Sequence, residues 1–185
     1  MPHRITFSIA DWEIGCCAPR PVIGEETSWP VMFQHLPDDR FAEEHRWTVE
    51  HIASGCPAGV EVRLSRPGVV AGWRRPAPLP QPGEHLLRGC LTGEMHFPPP
   101  GLSPVIGRVA RLRVSSVEYE LLGRALHPVA GTQRARDVTE YPEWFGVPEH
   151  EFTPPPPGSE LQFVPALPGA GRHETGVLVD VDVPD

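Results

Sequence analysis

The 185-residue sequence predicts a mainly β protein, an antiparallel small barrel or two-layer sandwich with one packed α-helix and long Pro/Gly-rich loops. Three observations carry this prediction. Apolar and polar residues alternate in several short runs, the period of a half-buried strand. No helical pattern recurs between those runs, as a βαβ fold would require. The chain also holds 25 prolines and 18 glycines, which cut it into short pieces joined by irregular connections.

Ile5, Phe7 and Ile9 alternate with Thr6 and Ser8, so the chain opens on a strand. Thr27 to Met32 is a second extended run, and Pro30 confines it to a sheet edge or a bulge. The predicted helix follows Asp38 and Asp39. Glu43 and Glu44 suit the positive end of a helix dipole, and Phe41, His45, Val49 and Ile52 fall at helical spacing before Ser54-Gly55 and Pro57. Val60, Val62 and Leu64 mark the next strand. In RPGVVAGWRRPAPLPQPGE, residues 66–84, prolines at 76, 78, 80 and 82 exclude a regular helix or central strand and predict an extended, polyproline-like segment. They alternate every second residue, so no PxxP ligand motif arises. Leu86 to Met95 reads as a strand interrupted by Gly89 and Gly93.

The strongest pattern is VIGRVARLRVSSVEYELL, residues 105–122. Its apolar parity changes at Ser115-Ser116, which predicts one bent strand with a bulge or two strands of a hairpin. PGAGRHETG, residues 168–176, reads as a loop, because it leads into a strand rather than into the helix N-terminus a phosphate cradle needs. Val177, Val179, Val181 and Val183 then form a last strand, with Asp180 and Asp182 expected on its solvated outer face. Arg111 and Arg113 read the same way, a positive outer face able to pair with acids on a neighbouring strand. About six or seven strands result. The domain reading is one unit over 1–185, with a Pro-rich loop or insertion at about 66–104.

The formal net charge is −8, which disfavours a phosphate backbone as partner. Asp11 and Glu13 interrupt the apolar start that a secretory signal requires, and no run is long enough to span a membrane. The expectation is therefore a cytoplasmic protein with four reduced cysteines, no nucleic-acid partner and no membrane partner.

The chemical candidates begin at Cys16-Cys17, within ADWEIGCCAPRP. Neighbours on a strand face opposite sides, so the two thiols converge only if the chain turns there. A thiolate at either position, with a histidine or Asp11, is the weak catalytic candidate. Zinc has no support from spacing. There is no CxxC and no HExxH, and six residues of helix would place His45 and His51 about 240° apart. No cofactor or metal is expected. There is no GxSxG elbow and no phosphate loop. EYPEWFGVPEHEFTPPPP, residues 140–157, concentrates Tyr141, Trp144, Phe145 and Phe152 in a loop context, the best candidate binding surface.

Asp11, Trp12, Cys16 and Cys17 follow a strand and precede Gly24, Glu25, Ser28 and Trp29. This order, strand-Asp-Trp-x3-Cys-Cys and then Gly-acidic-x-x-Ser-Trp, resembles a family of uncharacterised actinobacterial proteins, a domain of unknown function. The match covers about the first thirty residues, GRVARLRVSSVEYEL and GVLVDVDV are compatible with it, and the Pro-rich stretch from 66 to 104 departs from it. The resemblance implies no reaction.

The functional expectation is a small cytosolic β-barrel-like binding or accessory module that recognises a protein partner or small ligand through its loops. The alternatives are an enzyme with a pocket in the barrel mouth, using Cys16 or Cys17 with a His or Asp, and a structural zinc-binding protein.

Overall fold

A computed structural model describes residues 3–16, 19–52, 60–74, 76–96, 101–123, 125–142 and 170–184. Its elements in chain order are β1 (His3–Ala10), α1 (Asp11–Cys16), β2 (Glu26–Trp29), β3 (Val31–Gln34), β4 (Glu43–His51), β5 (Val60–Arg66), β6 (Val69–Arg74), β7 (Gly83–Gly93), β8 (Val105–Leu122), β9 (Ala125–Pro128), β10 (Arg134–Val138) and β11 (Gly171–Val183). The protein is mainly β, and β3, β6, β5, β4 and β7 close on themselves as a five-stranded barrel. Four of those five pairings are antiparallel, and β3 with β6 is parallel. The remaining strands form a wing. β7 continues to β1, β11 and β8 in turn, and β8 also pairs with β2, β9 and β10.

The alternating stripes fill one continuous core. Ile5, Phe7 and Ile9 meet Val181, Val179 and Val177 in register, and Trp29, Phe33, Trp47, Val62 and Leu64 complete the barrel side. Burying side chains of this size contributes roughly 1.5–3 kcal/mol each. Pro30 sits where the chain passes from the wing to the barrel. β2 pairs with β8 on the wing, and β3 pairs with β7 in the barrel. A residue without an N–H suits that junction. Gly89 and Gly93 do not interrupt β7, because each makes room for an aromatic ring. A Cβ at Gly89 would lie 2.2 Å from the Gln34 carbonyl oxygen and 2.6 Å from Phe33 Cζ, and one at Gly93 would lie 2.8 Å from the Trp29 ring.

Four expectations change. The segment 38–52 holds no helix. Asp39 Oδ1 accepts the Phe41 N–H at 2.7 Å, so the acidic cap belongs to a turn, and Glu43–His51 is strand β4. His45, Trp47 and Val49 also alternate, and pairing to β5 and β7 on both edges satisfies a strand backbone there. The one helix among the described residues is instead the six-residue α1. The stretch after Arg66 is not wholly polyproline-like, since Val69–Arg74 turns back on β5 as strand β6. Residues 171–176 are not loop, since β11 begins at Gly171. Finally, Asp180 is not solvated. β11 lies between β1 and β8, and Asp180 is 4% exposed, accepting from Thr6 Oγ1 at 2.9 Å and Arg113 Nη2 at 2.6 Å. Phe41, from the loop before β4, lines the same crevice as Thr6 and Leu178 on that face. Asp182 is exposed and pairs with Arg4 at 2.8 Å.

β8 is one strand throughout, and the irregularity at Ser115-Ser116 belongs to its partner, where the β11 register slips between Glu174 and Gly176. Arg111 pairs with Asp137 on β10. Among the described residues, no helix is long and apolar enough to cross a membrane.

Candidate functional site

The site is built where β1 gives way to α1. Asp11 Oδ1 accepts the Trp12 N–H at 2.8 Å and starts the helix. Glu13 then folds inward and is 3% exposed. Its Oε1 accepts the backbone N–H of Met95 at 2.8 Å and of His96 at 3.4 Å, just beyond β7. One carboxylate thereby satisfies two donors and pins the helix to the barrel. With Glu13 turned in, Trp12 faces out at 55% exposure, its indole edge-on to the His96 ring with centroids 5.9 Å apart.

Trp12 is the wall shared by two clefts. One, of about 400 Å³, is lined by Asp11, Tyr119, Leu126, His173, Glu174 and Thr175. The other, of about 290 Å³, is lined by Glu13, Gln34, Thr92, Glu94, Ser115 and Thr175. Ala10 and Thr175 also belong to both. Thr175 reaches that position because the bulge in β11 adds a residue between Glu174 and Gly176. Ser115 Oγ donates to the Gly176 carbonyl at 3.1 Å and lies 3.3 Å from the Thr175 hydroxyl, which fixes the bulge. The Tyr119 and His173 rings meet edge-on at 5.1 Å.

No arginine lines either cleft among the described residues, whereas Asp11, Glu13, Glu94 and Glu174 all do. The counterions of the last two stand outside: Arg74 pairs with Glu94 at 3.1 Å and Arg136 with Glu174 at 2.7 Å. The clefts are therefore rich in acceptors and lined by aromatic faces.

Asp11 stands at the rim of the larger cleft. Cys16 is the last residue of α1; its side chain and the whole of Cys17 lie outside the described residues, as do Trp144, Phe145 and Phe152. Tyr141 packs against the core, and burial, reinforced by the negative charge of Asp11, pushes its phenol well above the usual range. Cys90, on β7, is half-buried, and burial together with Asp39 pushes its thiol up to about 12. A thiol so shifted is a poor nucleophile. Among the described residues, no three His, Cys, Asp or Glu side chains come together as metal ligands.

The chain belongs to a family of unknown function, DUF6578. The family model matches residues 3–183, which takes in both clefts. Neither the curated proteins nor the solved structures contain a match to it.

The reading of residues alone did not reach Tyr119, His173, Glu174 and Thr175 as site residues. A signal existed in HETG, where Thr175-Gly176 precedes the valine alternation, but only the pairing to β8 shows it as a bulge.

Proposed function

We propose that this protein is a cytosolic ligand-binding module whose site is the pair of clefts around Trp12, and that the ligand presents an organic cation, an amine or guanidinium. The observation that supports this is the half-exposed Trp12 as a wall common to two carboxylate-lined clefts without an arginine. Aromatic faces attract cations through the ring quadrupole, and carboxylates add directional acceptors. A preformed concave site is the usual form of a small-ligand site. The test is titration by calorimetry with small primary and quaternary amines, and with carboxylates of matched size. Binding of amines alone, weakened in Trp12→Ala and Asp11→Asn, supports the reading. Absence of amine binding, or full binding by folded Trp12→Ala, overturns it. A pull-down comparing wild type with folded Trp144→Ala asks separately whether Tyr141, Trp144, Phe145 and Phe152 contribute a protein-binding surface; equal recovery of all partners removes it.

A thiol-dependent enzyme is the second reading, because Asp11 and His173 line one cleft and supply acid–base groups. It requires Cys16 or Cys17 to alkylate faster than a model thiol near neutral pH, and fails if neither does.

A further inference from the structure

The barrel and the wing share β7, and the sharing leaves a fork. β4 pairs with β7 up to Gly89, opposite Glu43, whereas β1 joins at Thr92, opposite Ser8. β3 occupies the other edge from Cys90 to Gly93. At Cys90 and Leu91 the chain therefore passes between two diverging strands, and a small crevice of about 30 Å³ opens there. Phe7, Glu43, Trp47, Arg66 and Cys90 are among its lining residues.

Two donors on these lining side chains are buried without an acceptor among the described residues: Trp47 Nε1 and Arg66 Nε. Trp47 is 1% exposed, and the Arg66 guanidinium carbon lies 5.0 Å from the centre of its ring. Leaving such donors unmet costs about 1–3 kcal/mol each, more for the charged one. The nearby acids are otherwise engaged. Glu43 is half-exposed and accepts from His45 at 2.9 Å, and Asp39 accepts from the Phe41 N–H and from Gln133. Burial lowers the Arg66 pKa, against a weaker opposing pull from Glu43, so its charge is incompletely compensated.

We infer that the fork in β7 is a binding site for one small monovalent anion of about the size of chloride, held by the indole N–H of Trp47 and the guanidinium of Arg66. An anion accepts from both donors and adds charge compensation for the half-buried guanidinium, whose Nε is covered. A water in the same place would accept both bonds but leave the charge unmatched and add two protons to satisfy. The crevice holds little more than one or two waters, which excludes phosphate and sulfate.

The experiment replaces gluconate, too large for the crevice, by chloride at constant ionic strength and follows the melting temperature of the full chain. Wild type is expected to show a saturable rise. Trp47→Phe keeps an aromatic ring under Arg66 but removes the N–H, and its half-saturation point is expected to move up by about tenfold or more. Arg66→Met is expected to abolish the rise; if it does not fold, Trp47→Phe decides alone. Bromide-soaked crystals should show an anomalous peak between Trp47 and Arg66. No saturable rise in wild type, or the same half-saturation point in Trp47→Phe, overturns the inference as a general salt effect.

Discussion

A Cβ on Gly176 would lie 2.1 Å from the carbonyl oxygen of Ile9. The two strands approach this closely because Gly176 ends the β11 bulge opposite Ala10, at φ +152°, a conformation that side-chain-bearing residues rarely adopt. The contact is with backbone, so no side-chain rotation relieves it. Gly176→Ala is expected to cost about 3 kcal/mol or more. Because Thr175 and Ser115 are placed by the same bulge, the variant should also lose amine binding in the Trp12 clefts. Urea denaturation and calorimetry check both. A Gly176→Ala protein as stable as wild type removes the bulge as the organiser of the site.

Glu13 is the second organiser. Glu13→Ala leaves the Met95 and His96 N–H groups without their acceptor, at an expected cost of about 2–4 kcal/mol. Hydrogen exchange at the Met95 amide should speed up by more than the global loss of stability explains. Protection unchanged relative to the rest of β7 would mean that the carboxylate does not hold α1 down.

The Asp180–Arg113 pair is buried, and the Asp182–Arg4 pair two residues along the same strand is not. Removing one partner of a buried pair strands a charge, so Asp180→Ala is expected to cost about 3–5 kcal/mol. Arg4→Ala should change stability little, since solvent already screens that pair. Urea midpoints of the two variants, compared at neutral pH, test the contrast.

Acid should act through the exposed pairs. Hydrogen bonds from Arg4 to Asp182 and from Arg111 to Asp137 hold both carboxyls below their ordinary value of 3.8. A folded value below the unfolded one means stability that is present above the unfolded value and lost as pH falls through the folded one. The stability gap between wild type and the double variant Arg4→Gln/Arg111→Gln should therefore be full above about pH 4 and close below it. A gap that stays constant down to about pH 2 contradicts the assignment.

Cys90 should be inert. With its thiol pushed up to about 12 from an ordinary 9.0, the thiolate fraction at neutral pH falls by roughly a thousandfold. Native-state alkylation followed by mass spectrometry should label it far more slowly than a model thiol. Labelling at the rate of a free thiol would place Cys90 in a different environment.

What was legible in the sequence followed from side-chain period. The alternations at Ile5–Ile9, Val60–Leu64 and Val177–Val183 report the pleat of a strand directly, and a chain of such strands without βαβ spacing has few ways to bury them. Where two periods fit the same residues, local pattern failed. Phe41, His45, Val49 and Ile52 satisfy a helix while His45, Trp47 and Val49 satisfy a strand, and only the backbone partners on β5 and β7 choose between them. Asp180 shows the same limit: its parity matches the exposed Asp182, yet it is buried because Thr6 and Arg113 stand beside it on neighbouring strands.

The sequence by itself determined the mainly β class and the apolar stripes Ile5–Ile9 and Val177–Val183 that enter the core. Tertiary structure alone decided that Glu13 reaches Met95, that Thr175 meets Ser115, and that Trp12 separates two clefts. Those contacts join residues about 60 to 80 positions apart, brought together by strand pairing, and no periodicity along one segment encodes a partner so far away in the chain.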